Sequence, residues 1–346
     1  MNIHANTLNS HRQAVLNGAQ LSFKQAAQEP LGAKDVRVRM VAASVNSRDL
    51  MIKNGGYGEM PADLVVLSDG AGEIVEVGSA VTRWQVGERV MPSFFQDWRE
   101  GRFAPEFMAS ALSSHDRAGV LREFANFHED TLVRIPEHLS FEEAATLPCA
   151  AVTAWHALFE THRPFSKEDT VLIQGTGGVA LFALQFAKAA GAKVIMLSSS
   201  DEKLERTRQM GADLGVNYKK FPAWDQRVRE LTGGKGADII LDLGGKETLE
   251  KSIDAVAAHG IIAQVGVLTG WATAPENISH LIFNNSSLSG VLVGSRTYLE
   301  RVTQFMHSHN LKPVIHQSFP MEHIEQAYEA LSGAQHMGKI TVKIAD

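Results

Sequence analysis

The stretch TVLIQGTGGVALFALQFAKAAGAKVIML, Thr170 to Leu197, decides the fold. An apolar β-type run, Thr170–Gln174, leads into three glycines within four positions. An apolar helical segment follows, stops at Gly191, and gives way to a second apolar run ending at Leu197. Strand, bare turn, helix and strand in that order make a βαβ unit. Gly175-Thr176-Gly177-Gly178-Val179-Ala180 fits G-x-G-x-x-G/A at the strand-to-helix turn. In that pattern Gly175 takes the tight turn, Gly177 lets the backbone approach a pyrophosphate, and Ala180 allows close helix–strand packing. Free N–H groups and the helix dipole favour an anion at the same place. A bound dinucleotide is the expectation, with a merely structural turn as the alternative.

Working outward, SSSDEKLERTRQMG reads as the next helix, with Ser199 and Glu202 spaced as a capping box. LGVNY, ADIILDL and GIIAQVGV read as further strands, and KETLEKSIDAVAAHG as a helix between the last two. Nearly continuous apolar strands are what a parallel sheet covered on both faces requires. Residues 150–290 are therefore expected to form a doubly wound parallel sheet of the Rossmann type. Residues 1–149 carry short β-type runs cut by Gly and Pro, such as DVRVRMVAASVN and GEIVEVG. They predict a second, β-rich domain. The chain returns to it over 291–346, with YLERVTQFMHSHN and HIEQAYEALSGA as helices.

Composition narrows the function. The 346 residues carry a net charge of -6 without a basic block, which argues against nucleic acid or an anionic membrane as partner. No apolar run reaches the roughly 18 residues a membrane span needs. The opening MNIHANTLNSHRQ has no leader-like apolar core. A single cysteine, Cys149, excludes an internal disulfide and any cysteine-rich zinc site, and a reducing cytoplasm is the simple reading.

The end of the second strand bears on which dinucleotide is bound. An NAD site places a carboxylate there, to grip the ribose hydroxyls. This chain has Leu197-Ser198-Ser199-Ser200, then Asp201 and Lys203. Hydroxyls and an ammonium welcome a 2′-phosphate. Asp201 and Glu202 read as first-turn helix acids pointing away. NADP(H) is expected, with helix capping as the serines' other reading.

With these motifs in place the chain resembles the medium-chain dehydrogenase/reductase superfamily, in particular its zinc-independent quinone-oxidoreductase-like and alcohol-dehydrogenase-like branch. The resemblance runs through VNSRDLMIKNGGYG, LSDGAGEIVEVGSAVTRWQVGERV, LREFANFHEDTLVRIPEHLSFEEAATLPCAAVTAW and GKITVKI. It implies a GroES-like β domain beside the Rossmann domain, a cofactor in the cleft between them, and often a homodimer. Thr153 matches a threonine near the nicotinamide, and Gly266-Val267 and Val293-Gly294 match backbone beside it. Lys203 and Tyr218 match 2′-phosphate contacts, against a solvated helix residue and a strand-end packer.

Zinc members use two cysteines and a histidine at the reaction centre. Here the first position holds Asn46, the Gly-His-Glu motif reads Leu67-Ser68-Asp69, and only Cys149 remains. Three protein ligands are needed, so no catalytic zinc is expected. The four-cysteine structural-zinc lobe is also missing. Cys149 is expected as a small buried residue, or alternatively a reactive thiol.

Without a metal, the acceptor must itself spread charge into a carbonyl oxygen. That points to conjugated carbonyls or quinones. Tyr57, spaced from Asn46 and Asp49 as in zinc-free enoyl reductases, is the candidate proton donor or else lines the cleft. Asn46 is a candidate hydrogen-bond partner of substrate or nicotinamide, or a turn residue. Asp49 is read as fold-holding, through backbone or Arg48. Phe94, Phe95 and Trp98 are read as a substrate wall or as core, and Arg296 as an anion contact or a surface residue. The competing functions are an alcohol or aldehyde dehydrogenase without zinc, and a non-catalytic NADPH-binding protein.

Overall fold

The computed structural model describes residues 10–271 and 274–345. The opening nine residues, part of the stretch without a leader-like core, lie outside them. Two compact units divide the chain: Met1–Val152 with Gly294–Asp346, and Thr153–Val293.

The second unit is built on a six-stranded sheet in the order Leu214–Asn217, Lys193–Ser198, Thr170–Gln174, Ala237–Asp242, Val256–Gln264, Ser287–Gly290. Every pairing is parallel. Val171, Leu172, Ile173, Val194, Ile195 and Ile240 have no exposed surface, because both faces of the sheet are covered. The strand order reverses beside Thr170–Gln174, the topological switch point where such sheets open a crevice. The apolar helix Gly178–Ala189 returns the chain from the first strand to the second, and Gly191, at φ +92°, ends it.

Two local expectations are corrected here. KETLEKSIDAVAAHG is helical only over Leu249–Ala255; the strand begins at Val256. Val256 pairs with Ala237, and Ile261–Gln264 pair with Ile239–Asp242, so sheet pairing overrides the helix propensity of the alanines. The cap of helix Asp201–Gln209 is Ser200, whose hydroxyl accepts from Lys203 N at 3.3 Å; Ser199 does not occupy the cap.

The first unit is β-rich. Its central strand, Asp35–Val45, pairs antiparallel with Asp69–Val77, Phe124–His128 and Lys339–Lys343. Val36, Val38, Met40, Ile74, Val90 and Leu132 form its solvent-free core. A three-stranded sheet, Gln20–Ala27, Ser10–Asn17 and Leu64–Val65, completes it. The helices Arg296–Ser308 and Ile324–Ser332 belong to the same unit. Phe94, Phe95 and Trp98 are core, with 4%, 1% and 1% exposure. Trp98 packs on Phe103, Phe107 and Tyr298 at centroid distances of 5.1, 6.4 and 6.0 Å. Arg296 pairs with Glu300 one helical turn on.

Register at the end of the central strand matters most for the site. Ser44 faces Asp69 on one side and Thr341 on the other, and Val45 faces Ile340. One step further, the same register brings Asn46 level with Lys339. Side chains alternate along a strand, so Ser44, Asn46, Asp69, Thr341 and Lys339 share one face. Among the described residues, no helix is long and apolar enough to cross a membrane.

Candidate functional site

In the second unit the glycine turn is shaped by backbone conformation. Gly175 has φ +79°, and a Cβ there would meet nothing within 4 Å. Conformation rather than space demands glycine. Its N–H donates to Leu197 O at 2.8 Å, tying the turn to the second strand. Gly177 caps helix Gly178–Ala189 without any side-chain hydrogen bond to the first turn. The first N–H groups of that helix are thus left to a ligand or water. Thr176 and Ala180 are buried, while Gly178 and Val179 are partly open.

A buried polar network under this turn escaped the sequence reading. Gln174 Nε2 donates to Ser252 Oγ at 2.9 Å, and its Oε1 accepts from Leu243 N and Gly244 N at 3.1 and 3.2 Å. The Asp242 carboxylate accepts from Gly245 N, Thr248 Oγ1 and Ser252 Oγ at 2.7–2.9 Å. The signal was a polar residue closing each of two apolar strands, TVLIQ and ADIILD. Gly266 lies where a Cβ would stand 1.9 Å from Leu243 O, so only glycine fits; Val267 follows it, partly buried.

Ser198, Ser199, Lys203 and Tyr218 gather at the carboxyl end of the second strand. Tyr218 N donates to Ser198 O at 3.1 Å, and the Tyr218 side chain is exposed. Ser198 Oγ accepts from Ser200 N at 3.3 Å. Asp201 accepts from Asn217 Nδ2 at 2.7 Å and from Lys220 Nζ, which holds its carboxyl below the ordinary range. Desolvation, then neighbouring Arg206, lowers the Lys203 pKa. Thr153 is buried, and Val293 holds a left-handed φ of +41°, an uncommon conformation for a β-branched residue. Val293 O lies 2.8 Å from Nδ1 of His156, a half-buried histidine the sequence reading did not single out.

The first unit holds a second polar cluster. Lys339 Nζ donates to Val45 O at 2.8 Å and to Asn46 Oδ1 at 2.5 Å. Asp69 Oδ2 accepts from Cys149 N at 3.2 Å. Burial pushes the Asp69 pKa up, opposed by Lys339, the Asn46 amide and the Cys149 N–H. Burial pulls Lys339 down, against the carboxylates of Asp69 and Asp49. Cys149 is half-buried rather than buried; desolvation and the Asp69 charge push its thiol above the ordinary thiol range. Asp49 Oδ2 accepts from Asn46 N at 2.7 Å, and Oδ1 lies 3.5 Å from Arg48 Nη1. Burial raises Asp49 to about 6, against Arg48 and the Asn46 N–H. Arg48 is fixed by Leu112 O and Ser113 O at 3.1 and 3.0 Å. Its guanidinium faces the rings of Phe94 and Tyr57 at 4.9 and 5.8 Å. Tyr57 is 47% exposed, so its hydroxyl-bearing ring is not locked in core. Leu67 keeps φ +66° where the family motif has glycine, with its side chain fully buried.

These residues do not match a zinc donor set. A catalytic zinc needs three protein ligands of the thiolate, imidazole or carboxylate kind. Here the positions offer the Asn46 amide, the Ser68 hydroxyl and the Cys149 thiol, with a single carboxylate, Asp69, beside them. The amide oxygen is already taken by Lys339, whose ammonium would repel a dication.

The family described as "Alcohol dehydrogenase GroES-like domain" matches residues 32–137, and "Zinc-binding dehydrogenase" matches residues 178–308. A zinc-type alcohol dehydrogenase-like protein of Schizosaccharomyces pombe is 38% identical over 322 residues, covering 91% of this chain and 92% of its own. The quinone oxidoreductase of Pseudomonas aeruginosa is 34% identical over 242 residues, covering 70% and 68%. Among solved structures, an NAD-dependent alcohol dehydrogenase matches with a TM-score of 0.86 and 31% identity, covering 96% of this chain and all of its own. Fold, motif order and relatives agree: the chain belongs to the medium-chain dehydrogenase/reductase superfamily and is an oxidoreductase.

Proposed function

We propose that this protein is a metal-free, NADPH-dependent reductase of conjugated carbonyls or quinones, working in the cytoplasm as a homodimer. The observation that carries the reading is Lys339 Nζ on Asn46 Oδ1, a side-chain cation where zinc members place their first ligand. An acceptor that meets amide and phenol donors instead of a metal must delocalise its own negative charge, which selects enones, enoyl thioesters and quinones. The similarity to a quinone oxidoreductase supports the same class.

A dinucleotide fits the second unit. The uncapped turn Gly175–Val179 would receive its pyrophosphate. The close approach at Gly266 and the backbone of Val267 and Val293 would border its nicotinamide, with Thr153. Asp201, held by Asn217 and Lys220, leaves Ser198, Ser199, Lys203 and Tyr218 to meet a 2′-phosphate. Bound there, the cofactor would supply the hydride. The chain's own contribution is position and protons: Asn46 holds the carbonyl oxygen and Tyr57 delivers a proton. Homodimer formation is supported by the sheet's open edge, Ser287–Gly290, and by exposed Ile282 and Phe283 near it.

The test is a cofactor titration with an acceptor screen on the purified protein. NADPH is expected to bind at least tenfold tighter than NADH, and Lys203→Ala to reduce that ratio about fivefold, as an exposed ion pair would. Enones and quinones are expected to be reduced, and Tyr57→Phe to slow enone turnover 10- to 100-fold. A protein that prefers NADH, or that oxidises secondary alcohols and ignores enones and quinones, refutes the reading.

A further inference from the structure

Asn46 is buried, 8% exposed, and the two ends of its amide differ. The oxygen accepts from Lys339, which is itself pinned by Val45 O. The nitrogen, also buried, makes no hydrogen bond of ordinary geometry among the described residues. An amide nitrogen carries two hydrogens. Asn46 eases the charge of buried Asp69, so one of them faces that carboxylate without forming a bond of ordinary geometry. The other has no acceptor among the described residues. Leaving a buried donor unmet is unfavourable, so such a group points to a ligand that supplies the acceptor.

Nothing in Asn46 alone fixes which end of its amide is the oxygen and which the nitrogen. Lys339 does. Turned by half a revolution, the amide would set its NH2 against the Lys339 ammonium and lose a charge-assisted bond. A cation on the carbonyl oxygen also draws electrons from the amide and strengthens the opposite N–H as a donor.

We propose that Lys339 is a positioning residue: through Asn46 Oδ1 it locks and polarises the Asn46 amide, so that Nδ2–H is held ready for the carbonyl or quinone oxygen of the substrate. The substrate half of this inference rests on the proposed function; the orientation half does not. Lys339 acts through Asn46 and donates no proton in the reaction.

Two readouts keep the halves apart. The first is the Asn46 side-chain NH2 signal in protein labelled with [15N]asparagine, assigned by its loss in Asn46→Asp. Lys339→Met is expected to shift that pair and bring its two protons closer together in frequency, while Lys339→Arg restores most of the difference. An unchanged pair in Lys339→Met overturns the inference. The second is steady-state turnover of an enone with NADPH. Lys339→Met and Asn46→Ala are each expected to lower kcat on the order of 100-fold with NADPH binding intact, and the double variant to lose no more than either alone. Multiplying losses would mean the two act independently and overturn the positioning role. Asn46→Asp keeps the acceptor for Lys339 and removes the Nδ2 donor. It is expected to fold and to lose kcat as Asn46→Ala does, which decides the donor role even where Lys339→Met does not fold. Wild-type activity in Asn46→Asp refutes it. If the wild type reduces no acceptor, the proposed function falls, and the NMR pair still decides the orientation.

Discussion

Asp49 offers a quantitative test of the buried cluster in the first unit. Its carboxyl is 1% exposed, and burial lifts it from an ordinary 3.8 to about 6 despite Arg48 and the Asn46 N–H. Below pH 3.8 the folded and unfolded chains both hold this proton. Between about 4 and 6 the folded chain keeps a proton that the unfolded chain has released, so stability falls as pH rises through the window. Above 6 both forms are ionised and the loss is complete. A displacement of about 2 units at 1.36 kcal/mol each comes to about 3 kcal/mol. Asp49→Asn removes the titration and keeps the side chain's shape. Chemical unfolding of both proteins at pH 4, 5, 6 and 7 is followed through Trp84 and Trp98, which lie in this unit. The difference between them cancels the distant groups they share. The wild type is expected to lose about 3 kcal/mol relative to Asp49→Asn between pH 4 and pH 7. A difference that stays flat, or grows in the wild type's favour as pH rises, refutes the claim that desolvation outweighs Arg48 at this site.

Two further outcomes follow from local geometry. Gly175→Ala meets no atom and is expected to cost only the left-handed backbone, about 1–2 kcal/mol by thermal or chemical unfolding. Gly266→Ala, with Leu243 O in its way, is expected to cost more and to weaken cofactor binding as well; the reverse order would contradict the two backbone roles. Cys149, its thiol held protonated by desolvation and Asp69, is expected to react with a disulfide reagent at pH 8 at least tenfold more slowly in the native protein than in denaturant. Equal rates would show an activated or open thiol.

The Rossmann half was legible because each of its elements is specified locally. TVLIQ, the glycines and the helix to Gly191 carry their own period and stop signals, and the sheet order follows from the βαβ rule. The failures came where neighbours decide. Val256 to Gly260 read as helix until the Ala237 strand claimed them, and the cap fell on Ser200, which accepts from Lys203 N, although the box spacing to Glu202 belongs to Ser199. Phe94, Phe95 and Trp98 gave no sign of which way they face, since an aromatic run serves core and pocket alike. Asn46 and Asp69 stood out through motif position. Lys339 did not, because a lysine opening a strand near the far end of a chain looks like ordinary surface chemistry. Only the antiparallel register of Lys339–Lys343 on Asp35–Val45 brings it to Asn46.

That pairing has a consequence for how the protein comes into being. The bond from Lys339 to Asn46 spans 293 positions, so a growing chain cannot complete this cluster until Lys339 itself has left the ribosome. Until then Asp69 and Asp49 have no lysine to offset them, and the β-rich unit must wait while Thr153–Val293 is free to fold by itself. An enzyme arranged this way cannot assemble its polar centre until residues almost three hundred positions apart have both emerged.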